Sequence, residues 1–233
     1  MIQQEIDRVR KQGHPYTGAK VFINRDDKAK VREGHKRQSL EVIECYKLYR
    51  KVHLQSEGAI TIDGTKVWIT TCQVPNQGHH RRRCADILGL RSDGSLLVFE
   101  AKVANGSDTP LAALLEGLDY LSHLRIPRNM EKLQDGFAKW RATHGQPGVY
   151  SKTPDGFEKV EIDPEARHSV LVLAPEAYYE RHRKDSKKVN QNWKYLSDRI
   201  WPKSPLSVGL DFAITDFYSP ECKLLSLNVL GAQ

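Results

Sequence analysis

The sequence is poor in cysteine and has no long apolar run. Neither a C-x-x-C pair nor zinc-finger spacing occurs among its four cysteines, Cys45, Cys72, Cys84 and Cys222. This excludes a disulfide scaffold and argues against a zinc site. No stretch approaches the roughly 18 apolar residues of a transmembrane helix, and the charged start MIQQEIDRVRKQG lacks the apolar core of a signal peptide. We therefore expect reduced thiols, no membrane segment and a cytoplasmic location.

The composition is that of a soluble globular protein. The 233 residues are 39% apolar and 28% charged, with a mean hydropathy of −0.58. The length predicts one domain, or one domain that carries an insertion. There is no internal repeat and no low-complexity tract.

The net charge of +7 is concentrated in two stretches. Residues 1–38 carry ten Lys and Arg against five acidic residues, and residues 180–203 carry eight against three. Positive charge segregated in this way is typical of a protein that binds a polyanion, first of all a nucleic acid. The alternative is that the charge serves solubility alone.

Apolar periodicity, caps and turn residues predict alternating helices and strands. The predicted helices cover 39–53, 110–123 and the basic segment 187–201. The predicted strands are 65–74, a hairpin around an Asp-Gly turn at 93–94, 168–175, and two near the C terminus, 210–217 and 222–230. This order predicts an α/β sandwich in which helices flank a mixed central sheet.

The same pass along the chain predicts its organisation. Residues 1–38 form a basic N-terminal arm, and residues 39–233 form a single domain. Within that domain we expect a core at 39–124 and 168–175, an insertion at about 125–165, and the basic helix and C-terminal strands within 187–230.

The hairpin brings three charged side chains to one end. Asp86 begins its first strand, and Glu100-Ala101-Lys102 ends its second. Because side chains alternate along a strand, Glu100 and Lys102 share a face. A turn of three or five residues pairs Asp86 with Glu100, whereas a two-residue turn pairs Asp86 with Ala101, on the wrong face. A functional site therefore requires an odd-numbered turn or a bulge.

These side chains are costly to bury for packing alone, because two carboxylates repel each other unless a cation joins them. Carboxylates and water are the ligands that suit Mg²⁺, for which Mn²⁺ is expected to substitute. A bound metal acidifies a water molecule and neutralises a phosphodiester oxygen. Asp86 and Glu100 are thus candidate metal ligands. Lys102 is a candidate catalytic residue that would orient the water or stabilise developing charge.

The pattern Ala85-Asp86, thirteen residues, then Glu100-Ala101-Lys102 resembles the active-site motif of the PD-(D/E)XK nuclease superfamily, with Ala85 in the place of proline. That family's core order of helix, three strands, helix and strand is similar to the order predicted above. The resemblance implies a restriction-endonuclease-like fold. It also implies Mg²⁺-dependent hydrolysis of DNA, as an endonuclease or an exonuclease.

Many members of that family place a further glutamate on the first helix. Helical phase puts Glu41 on the apolar face with Cys45 and Tyr49, whereas Glu44 lies in a charged stripe near Lys47. A carboxylate on an apolar face needs a compensating group. We therefore favour Glu41 over Glu44 as an auxiliary metal ligand or water-orienting base.

Two further sets of residues are candidates. Glu116 and Tyr120 resemble the family's Q-x-x-x-Y element with Glu in place of Gln; the alternative is a solvated glutamate and a half-buried tyrosine. A basic run just before the Asp86 strand would bind phosphates that flank the cleaved one; the alternative is a solvated loop. This run consists of His79, His80, Arg81, Arg82 and Arg83.

The sequence thus predicts a metal-dependent nuclease that binds and hydrolyses DNA and has no membrane partner. A symmetric homodimer would suit two cuts on a duplex. Two alternatives stay open. One is a nucleic-acid-binding module with the same fold and no turnover. The other is a structural protein in which Asp86, Glu100 and Lys102 form an ion-pair network.

Overall fold

The structure is a computed structural model. It describes residues 40–75, 84–142, 153–184, 209–217 and 219–225. Three predicted features lie outside the described residues: the basic arm at 1–38, the basic run at 79–83 and the basic helix at 187–201.

Within the described residues the chain forms four helices and seven strands. The helices are α1 (Leu40–Gln55), α2 (Pro110–Leu124), α3 (Pro127–Ala142) and α4 (Glu176–Lys184). The strands are β1 (Ala59–Ile62), β2 (Thr65–Pro75), β3 (Cys84–Arg91), β4 (Leu96–Ala101), β5 (Ser169–Ala174), β6 (Gly209–Ile214) and β7 (Glu221–Leu224). None of these four helices is both long enough and apolar enough to cross a membrane.

The helix predicted over 110–123 is confirmed as α2, and its start follows from the local sequence. The Thr109 backbone is extended, and Thr109 Oγ1 accepts a hydrogen bond from the Ala112 N–H at 3.2 Å. This is the contact of an N-cap. Pro110 follows at the first turn, where its missing N–H costs nothing.

The seven strands close into a mixed barrel in the order β1 to β7. The strands from β1 to β4 pair antiparallel, β4, β5 and β6 pair parallel, and β7 runs antiparallel to β6. Closure comes from β1, which also pairs parallel with β7 through Thr61 opposite Glu221 and Ile62 opposite Cys222. The predicted restriction-endonuclease-like sandwich, an open central sheet flanked by helices, is therefore wrong. The short strand β1, which joins the two edges, was not predicted from the sequence.

Apolar side chains form one cluster on each face of the sheet. The first cluster takes residues from all seven strands and from α1, including the fully buried Leu48 and Phe99. The second packs α2, α3 and α4 against the other face, around Trp68. Gly117 lets α2 approach β5 closely, because a Cβ there would overlap Cγ1 of Val170.

The segment predicted as an insertion, about 125–165, contributes to the second cluster. It contains α3, a helix that was not predicted from the sequence. The rings of Phe137 and Trp140 on this helix lie 5.6 and 5.2 Å from the Trp68 ring, centroid to centroid. The carbonyl of Phe157 accepts a hydrogen bond from Arg141 at 3.2 Å, which ties the following loop to α3.

Candidate active site

The turn of the β3–β4 hairpin sets the register of the site. The Arg91 N–H donates to the Ser95 carbonyl at 2.9 Å, and the Gly94 N–H donates to the Arg91 carbonyl at 3.0 Å. Asp93 Oδ1 accepts a hydrogen bond from the Ser95 N–H at 2.9 Å. Gly94 has a φ of +81°, a conformation that glycine adopts without strain. Three residues, 92–94, therefore form the turn, the odd number that the predicted site required.

This turn pairs Ile87 with Phe99, so that the next residues along the two strands, Asp86 and Glu100, lie opposite each other. Phe99 belongs to the first apolar cluster, the one that contains α1. Because side chains alternate along a strand, Glu100 points to the other face of the sheet. Beyond the end of β4, the Lys102 N–H still donates to a β5 carbonyl at 2.9 Å. The predicted register is confirmed.

The Lys102 ammonium group lies among carboxylates from three parts of the chain. Its Nζ is 3.0 Å from Glu100 Oε1, 3.1 Å from Glu116 Oε2 on α2 and 3.6 Å from Asp108 Oδ2 in the loop before α2. The Lys102 side chain is 4% exposed, whereas those of Glu116 and Asp108 are 41% and 51% exposed. The site thus has a buried floor and an acidic rim open to solvent.

Asp86 and Glu100 form the floor of the site, and each residue is 8% exposed. The Ala101 N–H donates to Asp86 Oδ2 at 2.8 Å, which fixes this carboxylate beside the end of β4. Burial, and then the negative charge of Asp86, raise the pKa of Glu100 well above its ordinary value, against the opposing effect of Lys102. The charge of Asp86 therefore destabilises the charged form of Glu100.

Lys102 is held in its protonated form. Burial by itself lowers the pKa of a lysine, but the charges of Glu100 and Glu116 outweigh burial and raise the pKa of Lys102 above its ordinary value. Its ammonium group can therefore attract negative charge or donate hydrogen bonds. It is not suited to accept a proton as a general base.

Of the two glutamates considered on α1, the structure brings Glu41 to the site. Burial raises the pKa of Glu41, and the charges of Lys102, Asp108 and Glu116 also act on it. Glu44 instead accepts a hydrogen bond from Lys47, one turn along the helix, at 2.9 Å.

The second candidate pair on α2 divides between the site and the core. Glu116 contacts Lys102, as described above, whereas Tyr120 is 4% exposed and belongs to the second apolar cluster. Asp108 was not among the site residues predicted from the sequence. Thr109 caps α2, and the Asp108 carboxylate lies 3.6 Å from Lys102 Nζ. An acidic residue just before a capped helix was the available signal.

Two buried carboxylates, Asp86 and Glu100, are the candidate ligands for a divalent cation such as Mg²⁺. Within the described residues, no group of three or more His, Cys, Asp or Glu side chains is placed to hold a metal ion. Mg²⁺ is commonly bound by one or two carboxylates, with waters and substrate phosphates completing the octahedron. Asp86 and Glu100 supply two carboxylates, and their mutual repulsion is the electrostatic condition that a cation relieves.

Comparison with known proteins adds no relative. No family model, no curated protein and no solved structure matches this chain. What this site does has therefore to be argued from its own geometry.

Proposed function

We propose that this protein is a metal-dependent nuclease that hydrolyses phosphodiester bonds of DNA. The observation that carries the proposal is the meeting of Asp86, Glu100 and Lys102 at the end of one hairpin. This is the acid, acid and lysine set of the PD-(D/E)XK motif that the sequence resembles. Because the barrel differs from the fold expected for that family, the proposal rests on the site and on the motif.

In this proposal Asp86 and Glu100 would hold Mg²⁺, or Mn²⁺ in its place. When bound, the ion would neutralise a phosphodiester oxygen and acidify a water molecule. Asp86 is oriented for this role by the Ala101 N–H. Metal binding would compete with Lys102 for Glu100, since Glu100 Oε1 now accepts a hydrogen bond from Lys102 Nζ.

Lys102 would act as a fixed positive charge. Its amine is already protonated and buried, so it can stabilise the negative charge that develops on the phosphate during cleavage. Glu41 is the candidate to orient the attacking water. Burial raises its pKa, which makes Glu41 a better proton acceptor than an exposed carboxylate.

Cleavage assays with the purified 233-residue chain test the proposal. Linear, single-stranded, supercoiled and branched DNA are each incubated with Mg²⁺ or Mn²⁺, or with a chelator. We expect cleavage of at least one of these substrates only when metal is present. Absence of cleavage on every substrate, with DNA binding retained, would favour the binding module without turnover.

Variants identify the residues responsible. Lys102→Met should lower the cleavage rate by about 10²–10³-fold while DNA binding persists, because it removes one preorganised charge at the reaction centre. Asp86→Asn should lose both metal binding and cleavage. Lys47→Met, which removes an exposed lysine paired with Glu44, is the matched control and should cleave normally. Circular dichroism establishes that each variant is folded. Normal cleavage by folded Lys102→Met would refute the assignment.

The proposal includes a cytoplasmic location. Cys45, Cys72 and Cys222 are buried and form no disulfide, as is usual for proteins of a reducing compartment. Fractionation of the native host, with the protein followed by antibody, tests this location.

A further inference from the structure

A tyrosine on a separate helix contacts the loop that forms the rim of the site. This loop, residues 103–109, joins β4 to α2. The Tyr178 hydroxyl on α4 donates a hydrogen bond to the backbone carbonyl of Asp108 at 2.7 Å. Tyr178 Cε2 also lies 3.5 Å from the point that a Cβ on Gly106 would occupy. One fully buried side chain therefore hydrogen-bonds the loop and lies beside Gly106.

The loop borders three acidic components of the site. The Asp108 carboxylate lies 3.6 Å from the lysine amine. Glu41 Oε1 lies 3.6 Å from the same Cβ position on Gly106. Thr109 caps α2, the helix that carries Glu116. A displacement of this loop would therefore change the surroundings of the lysine from more than one side.

The Tyr178 hydroxyl is suited to a lasting structural contact. Burial raises the pKa of Tyr178 above its ordinary value, so the phenol stays protonated and remains a hydrogen-bond donor. Its acceptor is a backbone carbonyl, which keeps its charge state at every pH. The contact therefore fixes the position of the loop and takes no part in proton transfer.

We propose that Tyr178 is a positioning residue, which holds loop 103–109 so that Asp108 stays against Lys102 and the lysine stays directed to Glu100. The catalytic consequence rests on the proposed nuclease function, whereas the hold on the loop does not. The Tyr178 hydroxyl donates its hydrogen bond to the Asp108 backbone and not to a candidate metal ligand. It acts through the loop.

Tyr179 provides a matched control on the same helix. It is also buried, and its hydroxyl lies 2.8 Å from the Val172 carbonyl and 3.1 Å from the Ala213 carbonyl. These acceptors belong to β5 and β6, away from the loop. Tyr179→Phe thus removes a buried hydroxyl of the same kind without touching loop 103–109.

Two measurements on the full chain test the inference. Tyr178→Phe keeps the ring against Gly106 and removes only the donor. It should lower kcat about tenfold, the effect of one lost hydrogen bond on the geometry of the site, with KM for DNA changed less than about twofold. It should also speed amide hydrogen exchange within residues 103–109. Tyr179→Phe should lower the thermal midpoint but change neither kcat nor exchange in this loop.

A double variant identifies the route of the effect. If Tyr178 acts through Asp108, Tyr178→Phe should have little further effect on kcat in an Asp108→Asn background. Equal kcat and equal loop exchange in Tyr178→Phe and Tyr179→Phe would overturn the inference, as would effects of Tyr178→Phe and Asp108→Asn that multiply. If the wild-type chain cleaves no DNA, the proposed function fails, and the exchange comparison alone decides whether Tyr178 holds the loop.

Discussion

Glu100→Gln should stabilise the metal-free protein and abolish the proposed metal-dependent cleavage. Burial and the charge of Asp86 raise the pKa of Glu100 in the folded chain. Between the pKa of Glu100 in the unfolded chain and its higher pKa in the folded chain, the folded state keeps the proton on Glu100 while the unfolded state loses it. The free energy of unfolding therefore falls as the pH rises through this range. The glutamine side chain has the shape of the protonated acid and keeps an oxygen to accept the Lys102 hydrogen bond. Glu100→Gln should therefore remove the loss of stability that ionisation of Glu100 causes at high pH.

The size of the gain follows from what the substitution removes. Replacing a whole buried ion pair by well-packed neutral side chains stabilises proteins by up to about 1–4 kcal/mol. In Glu100→Gln the lysine is not left unpaired, because Lys102 keeps Glu116 and Asp108 as partners. The lower part of this range applies, because Lys102 compensates part of the charge of Glu100 at 3.0 Å. For a chain of this size, about 1–2 kcal/mol raises the thermal midpoint by about 2–8 °C.

Thermal unfolding with and without metal tests both parts of the prediction. In chelator at pH 8, Glu100→Gln should melt above the wild type. Mg²⁺ at one hundred times its dissociation constant should stabilise the wild type by about 2.7 kcal/mol. The thermal midpoint of Glu100→Gln should be the same with and without Mg²⁺. Glu131→Gln, on the side of α3 exposed to solvent, is the control and should respond to Mg²⁺ as the wild type does. A lower midpoint for Glu100→Gln in chelator, or equal gains from Mg²⁺ in variant and wild type, would refute the reasoning.

Two other predictions concern α1 and the far end of the hairpin. Glu41→Gln should reduce cleavage at least about tenfold, whereas Glu44→Gln should lose only a helix-surface pair with Lys47, a few tenths of a kcal/mol; equal cleavage rates would exclude Glu41 from the site. Burial lowers the pKa of His168 to about 4, from 6.5, so lowering the pH through this window should cost up to about 3 kcal/mol of stability, because the unfolded chain takes up the proton first. In the wild type the Leu96 N–H donates to His168 Nδ1 at 3.0 Å, and His168→Asn keeps an acceptor for it. This variant should lose less stability than the wild type as the pH falls, measured by urea denaturation at several pH values; an unchanged pH dependence would contradict the prediction.

The site could be predicted from the sequence because its geometry is local. One hairpin turn decides the register, and strand alternation then places Glu100 and Lys102 on one face. Helical phase was also sufficient to separate Glu41 from Glu44. The contact from Asp108 was not predicted, because it depends on how the loop before α2 lies against Lys102, which no local pattern shows.

The closed barrel could not be predicted in the same way. It depends on pairing between β1 and β7, which are more than 150 residues apart and four residues long. Such short strands give little alternation to recognise, and periodicity carries no information about which edges pair. The α3 helix was missed for a related reason: its apolar face consists of a few residues, among them Phe137 and Trp140, within a strongly charged segment.

The charge balance of the cluster favours the proposed nuclease over both alternatives. An ion-pair network kept for stability would match its charges, because an uncompensated buried charge is destabilising. Here Glu100, Glu116 and Asp108 contact one lysine, Glu41 acts on the same lysine, and Asp86 adds to the negative charge of the floor. A module that only binds nucleic acid would also be poorly served, since this excess of carboxylates repels phosphate. A divalent cation on Asp86 and Glu100 would reverse both effects at once, since it compensates the buried charge and attracts the phosphate to the lysine.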